Sequence, residues 1–275
     1  MSHGPGGPEH PRDLQVWGHR IRVSVRAGTG SGPPLLMCCG IGAGLDVLDP
    51  LVAELDPTLT VIRFDVPGVG DSPAPLLPYA FPQLATLVLR LVRRLGHDRV
   101  DVLGFSWGGA LAQQLAFQAP RRVRRVVLLS TGTGALMVPG HPSALSRMLS
   151  PRRFRDPEYA ASVSALLYGG TARTRADDVL ELFRGSHLGG SRRGYVYQLL
   201  AGSVWTSLPF LPLVRQPVLV MTGDDDPIIP EVNGHVIARL LPRGRLHVFR
   251  GGHVEGVLRP EVLGPLVSDF LLARD

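Results

Sequence analysis

Gly104-Phe105-Ser106-Trp107-Gly108 ends the apolar run that starts at Val100 and opens Ala110-Leu-Ala-Gln-Gln-Leu-Ala-Phe-Gln-Ala119, a good helix former stopped by Pro120. A serine at the apex of a strand-to-helix turn is a nucleophile elbow. The sharp turn holds it at positive φ, and glycines two residues to either side make room for it. A free hydroxyl is a weak nucleophile, so this chemistry also needs a base and an acid further along the chain. Gly223-Asp-Asp-Asp-Pro-Ile-Ile-Pro230 follows the buried-type strand Gln216–Thr222, and Gly251-Gly-His253 follows the short strand Leu246–Phe249. In these roles Ser106 attacks a carbonyl carbon and His253 takes its proton, later returning one to the leaving group. An aspartate orients the imidazole and stabilises its cation.

The order Ser, Asp, His along the chain is that of the α/β-hydrolases, not of chymotrypsin or subtilisin. Among the three consecutive aspartates, Asp226 has the spacing to Gly223 and Pro230 that triad acids of this class commonly show. Asp225 is the alternative, and Asp224 reads as a solvated turn residue. Charge developing on the carbonyl oxygen calls for two preorganised N–H donors, each worth about 3 kcal/mol. Trp107 N–H, at a helix N-terminus, is one. Ile41 N–H is the other, in the loop Gly40-Ile-Gly-Ala-Gly44 that follows the strand Pro34–Cys39. That loop lacks the third glycine of a dinucleotide cradle, and the histidines have no metal-ligand spacing, so no cofactor and no metal is expected.

The elements that must hold these residues alternate. Gln15 to Val25 reads as two antiparallel strands around a Gly18-His19 turn. Helical patterns follow at Leu45–Leu55 and Phe81–Leu95, with strands at Leu59–Phe64 and Val123–Ser130. Repeated strand-helix units imply a mostly parallel sheet with helices on both faces, ligands binding at the carboxyl ends of its strands. From Thr131 to about Pro212 the alternation breaks down into helix-like pieces at Tyr159–Leu167 and Ala176–Phe183 and an aromatic group, Tyr195, Tyr197 and Trp205. This stretch is too long for a plain connection. The fold expected is an α/β-hydrolase with an inserted helical lid: a disordered tail at 1–12, a core of 13–132 and 213–275, and a lid at 133–212.

The chain has 275 residues, 44% of them hydrophobic, enough for one large core, and a net charge of +6 supplied entirely by arginine. Arginine clusters at 121–125, 152–155 and 192–193 read as solvated faces, because no nucleic-acid reading motif accompanies them. Attraction to an anionic surface stays open. Cys38 and Cys39 are adjacent in a strand, so they point to opposite faces and pack as small hydrophobes. The start lacks a basic region and an apolar core, and no apolar stretch is long enough to span a bilayer, so a cytoplasmic protein is expected.

The elbow in the form Gly104-Phe-Ser-Trp-Gly-Gly-Ala-Leu-Ala-Gln-Gln114 resembles the intracellular medium-chain-length poly(3-hydroxyalkanoate) depolymerases. The resemblance extends to Gly40-Ile-Gly-Ala43, Phe64-Asp-Val-Pro-Gly-Val-Gly70, Met137-Val-Pro-Gly140, Ser150-Pro-Arg-Arg153, Tyr168-Gly-Gly170, Trp205-Thr-Ser207 and Gly223 to Pro230. It covers about residues 34–255, the lid included. It implies hydrolysis of stored aliphatic polyester to 3-hydroxy acids or oligomers by Ser106, Asp226 and His253, with a storage-granule surface as a partner; the missing reading motif is the ground on which no nucleic-acid partner is expected. The residues alone say serine ester hydrolase, which leaves open a lidded carboxylesterase or lipase, a carbon-carbon bond hydrolase, and a noncatalytic granule-binding protein.

Overall fold

The computed structural model describes residues 10–185 and 190–274. Eight strands form one sheet: β1 (Arg12–Val16), β2 (His19–Arg26), β3 (Leu35–Cys38), β4 (Val61–Phe64), β5 (Val100–Phe105), β6 (Val123–Leu129), β7 (Val218–Gly223) and β8 (Gly244–Phe249). Their spatial order is β1-β2-β4-β3-β5-β6-β7-β8. β1 and β2 are antiparallel to their neighbours, and β3 to β8 all run parallel. Of the expected tail, residues 1–9 lie outside the described residues. Arg12 belongs to the sheet, paired with Val23.

The hairpin turns at Trp17-Gly18, one residue earlier than Gly18-His19. Both turn residues have positive φ, 50° and 78°, the conformation whose twist matches that of the flanking strands.

Helices α1 (Asp49–Ala53), α2 (Phe81–Arg94), α3 (Trp107–Gln118), α8 (Val232–Leu240), α9 (Glu255–Leu258) and α10 (Pro260–Leu272) cover the sheet. Strand alternation sorts its side chains between two cores. Leu36, Cys38, Val102 and Leu128 join α2 and α3 on one face, while Leu35, Met37, Cys39, Leu103 and Leu129 join α1 and α10 on the other. Both thiols are therefore buried, on opposite sides, and burial pushes both well above the ordinary thiol range.

Between β6 and β7 lie α4 (Pro142–Met148), α5 (Pro157–Tyr168), α6 (Ala176–Gly185) and α7 (Arg192–Val204), with short 3₁₀ turns at Pro151–Phe154, Gly170–Arg173 and Leu211–Leu213. Local signals start and stop them. Asp156 caps α5 by accepting from Tyr159 N–H at 2.9 Å, Pro157 follows, and Gly169 at φ 64° ends the helix. Ser191 caps α7 in the same way through Gly194 N–H at 2.9 Å.

The arginine clusters are not uniformly solvated. Arg124 forks onto the buried Asp101 at 2.5 and 2.9 Å, and Arg125 reaches Phe270 O, tying α10 to the sheet. Arg153 is buried and donates to Tyr195 Oη at 3.0 Å, whereas Arg152 stays on the surface. A planar guanidinium has donors enough to link several elements from inside, which composition cannot reveal. Among the described residues no helix is long and apolar enough to cross a membrane.

Candidate active site

The parallel strands deliver their carboxyl ends to one edge, and Ser106 stands at the end of the central β5. Its backbone has φ 54° and ψ −120°. Ser106 N–H donates to Leu129 O at 2.9 Å, and Thr131 Oγ1 donates to Ser106 O at 2.7 Å, so two bonds to the β6 side hold this strained residue. A Cβ at Gly104 would overlap Gly108 O, and one at Gly108 would overlap Cys38 O. The glycine spacing read from the sequence is therefore a packing requirement.

His253 lies beyond β8. Its Nδ1–H donates to Asp226 Oδ2 at 2.7 Å, which leaves Nε2 to accept from the Ser106 hydroxyl at 2.8 Å. The other Asp226 oxygen accepts from Ile228 and Ile229 N–H, both at 2.9 Å, so the carboxylate is fixed before the imidazole meets it. Ser106 is 6% and His253 3% exposed, so the chain of bonds lies out of bulk water.

Of the three aspartates, only Asp226 meets His253. Asp225 points away, forking onto Arg173 at 2.6 and 2.7 Å and accepting from Gly170 N–H, and the guanidinium holds its carboxyl below the usual range. Asp224 accepts from Gly251 N–H at 2.9 Å and braces the turn.

Trp107 opens α3, where the first N–H groups have no intrahelical acceptor. Ile41 is buried, and among the described residues its N–H has no hydrogen-bond acceptor. Ala43 N–H closes a turn onto Gly40 O at 3.2 Å, with Gly42 at φ 71°. Gly40 packs against Ser106, an added Cβ standing 3.5 Å from the serine Cβ, so the loop lies beside the hydroxyl.

The β6–β7 segment touches each of these parts. Tyr168 O accepts from His253 N–H at 2.7 Å, and Gly169-Gly170 packs on the backbone of Asp225 and Gly251-Gly252 so closely that no side chain fits. Gly194 of α7 meets Gly68 backbone to backbone in the same manner. Gln198, also on α7, accepts from Gly42 N–H through Oε1 at 2.8 Å and from the Trp107 ring N–H through its main-chain oxygen at 2.9 Å. Trp205 closes the end of α7 by donating to Gln114 Oε1 at 2.9 Å.

Sequence reading missed Gln198. The available signal was its helical register: it shares a face with the buried Tyr195 and Ala201, three residues to either side, so an amide stands in an apolar stripe. Glu255 was missed too. It is buried and receives Thr171 and Gly252 N–H at 2.6 and 3.1 Å, bracing the histidine loop. Among the described residues no group of His, Cys, Asp and Glu has the makings of a metal site.

A strand-to-helix serine on a parallel sheet, with an imidazole and a carboxylate beyond later strands, defines an ester-hydrolase enzyme, and the chain belongs to the α/β-hydrolase fold family, which matches residues 33–255. Within that family it is 43% identical over 261 residues to the poly(3-hydroxyalkanoate) depolymerase of Ectopseudomonas oleovorans, covering 94% of this chain and 92% of that protein. Among solved structures, the enol-lactonase of Burkholderia xenovorans LB400 superposes with a TM-score of 0.81 at 25% identity, covering 95% of this chain and all of the other. A hydrolase of Pseudomonas aeruginosa PA01 does so with 0.81 at 27%, covering 96% and 98%.

Proposed function

We propose that Ser106, His253 and Asp226 are a catalytic triad that hydrolyses ester bonds, with medium-chain poly(3-hydroxyalkanoate) as the substrate. The observation that carries the chemistry is the unbroken series of short hydrogen bonds from the Ser106 hydroxyl through His253 to Asp226. As Ser106 Oγ adds to the ester carbonyl, its proton passes to His253 Nε2, and Asp226 stabilises the resulting imidazolium. Ile41 and Trp107 N–H receive the oxyanion. Collapse expels the alkoxide, which takes the proton from His253 and leaves an acyl-serine. Water, deprotonated by the same imidazole, then frees a 3-hydroxy acid or oligomer and restores the serine.

For the substrate, the support is the depolymerase relative, whose likeness runs through the β6–β7 segment as well as the core. In this reading residues 133–212 form a lid over the buried serine. Val196, Leu200 and Val204 line one exposed face of α7, and Leu76 and Leu77 stand exposed on the loop that Tyr197 Oη reaches through Leu76 O at 2.9 Å. Exposed apolar side chains of this kind suit contact with a hydrophobic particle. Cytoplasmic location and attachment to a storage granule belong to the same reading.

The test is release of 3-hydroxy acids from amorphous medium-chain granules. Wild-type protein releases them, and Ser106→Ala leaves only the residual rate of binding and the oxyanion hole. Hydrolysis of soluble octanoyl esters with no release from granules rejects the polyester and leaves a lidded carboxylesterase. Near-normal turnover by folded Ser106→Ala rejects the triad.

A further inference from the structure

The oxyanion loop is held from outside the sheet. Gly40 to Ala43 form a tight turn closed by the Ala43 N–H to Gly40 O bond, with Gly42 at positive φ in its third position. In turns of this geometry the peptide between the second and third residues is the one that flips between alternative forms. Here that peptide joins Ile41 to Gly42, and its N–H is bonded to Gln198 Oε1 at 2.8 Å across 156 residues of sequence. The main-chain oxygen of the same glutamine receives the Trp107 ring N–H at 2.9 Å. One residue of α7 therefore grips the neighbour of one oxyanion donor and the side chain of the other.

We propose that Gln198 is a positioning residue that fixes the oxyanion loop, so that the hole is complete only while α7 is docked. This rests on the reading of Ile41 and Trp107 as the oxyanion donors. Gln198 is 1% exposed, and its Nε2 has no partner among the described residues. Because Gly42 N–H can only donate, the amide must turn its oxygen to the loop, which strands its own donors. A buried amide left half-satisfied is poorly accounted for by stability alone. With the acceptor in place the Gly42 N–H is bonded and the turn keeps this form, because flipping the Ile41–Gly42 peptide gives up that bond and forces the buried amide to rotate. Without it, the Ile41–Gly42 peptide loses its anchor to α7, and Ile41 N–H, on the adjoining peptide, is held less firmly.

Gln198→Met keeps the length and removes the acceptor. The expected result is a kcat lower by about tenfold or more, below the loss for deleting a whole donor, with KM within about twofold of wild type. The rate of fluorophosphonate labelling of Ser106 falls in parallel. Gln198→Glu keeps an oxygen for Gly42 N–H. When neutral it sustains turnover, and when ionised it places negative charge beside the forming oxyanion, so its kcat gains a descending limb as pH rises that the wild type lacks. The limb reports that position 198 stands beside the hole, and turnover kept on its acidic side, where the retained oxygen still holds Gly42 N–H, reports the positioning; loss of turnover there overturns it even if the methionine form fails to fold. Wild-type kcat in folded Gln198→Met, or an unaltered pH profile in Gln198→Glu, overturns the proposal. If Ser106→Ala is inactive while Gln198→Met is normal, only this inference falls. If Ser106→Ala retains turnover, the reading of the site falls first.

Discussion

At the carboxyl ends of β5, β7 and β8 the side chains of the site are set by their own backbones. Ser106 is forced outward by its φ of 54°, and Asp226 is fixed by two N–H groups within three residues of itself. The β6–β7 segment works differently: it reaches the site through Tyr168 O, the Gly169-Gly170 backbone and Gln198, each bonded to or packed on a residue far away in the chain. The sheet side thus supplies the proposed reacting groups in short self-contained turns, and the segment supplies contacts that exist only after folding. Local turns are robust to what the rest of the chain does. Contacts between distant residues can be adjusted without disturbing the turn that holds Ser106.

The sharpest way to break this contrast uses two neighbouring carboxylates. Asp226 faces the imidazole, whereas Asp225 faces Arg173 and Gly170 of the segment. Asp226→Asn is expected to lower kcat by about a hundredfold to ten-thousandfold, since it removes the partner of the imidazolium. Asp225→Asn loses only a half-exposed ion pair and lowers kcat by about threefold or less. Steady-state kinetics of the two variants decides it, and the reverse ranking puts the chemistry on the wrong carboxylate.

A second measurement concerns the segment alone. If it shapes an apolar acyl pocket, each buried methylene adds about 0.8 kcal/mol, so kcat/KM for octanoyl esters exceeds that for acetyl esters by about tenfold or more. A preference for acetyl removes the segment from acyl selection.

The smallest effect belongs to the sheet side. Asp65, buried at the end of β4, accepts from Leu45 N–H at 2.7 Å and Asp71 N–H at 3.1 Å beside Arg22. Burial raises its carboxyl from 3.8 to about 6. A folded-state pKa above the unfolded one means that the native protein binds more protons between these values. The contribution is therefore fully present below the unfolded pKa and is lost as pH rises toward 6. Thermal midpoints measured across this window should fall for wild type relative to Asp65→Asn. Parallel curves show that Asp65 does not titrate there.

The same contrast explains what could be read beforehand. The elbow, the acid loop and the histidine loop each fit within about ten residues, where strand, turn and helix signals constrain one another. The spacing to Gly223 and Pro230 singled out Asp226, the aspartate that faces the imidazole while Asp225 faces Arg173, and the motif Tyr168-Gly-Gly170 stood out before its packing on the histidine loop was visible. Arg153 was misread because a charged run gives no sign of which member turns inward. Gln198 escaped notice because its partner, Gly42, is 156 residues away. Helical register marks it as inward-facing, and only the fold says what it faces.

The two adjacent cysteines offer a different use of the molecule. Reaction with an alkylating reagent requires access and a thiolate, and burial denies both to Cys38 and Cys39 in the native state. Their labelling rate therefore measures how often the surrounding core opens. Since Cys38 belongs to the core that includes α2 and α3 and Cys39 to the core that includes α1 and α10, neighbouring residues act as separate clocks for the two faces of one sheet. Unequal labelling of the pair under mild denaturant would reveal which helical layer detaches first, with no introduced probe.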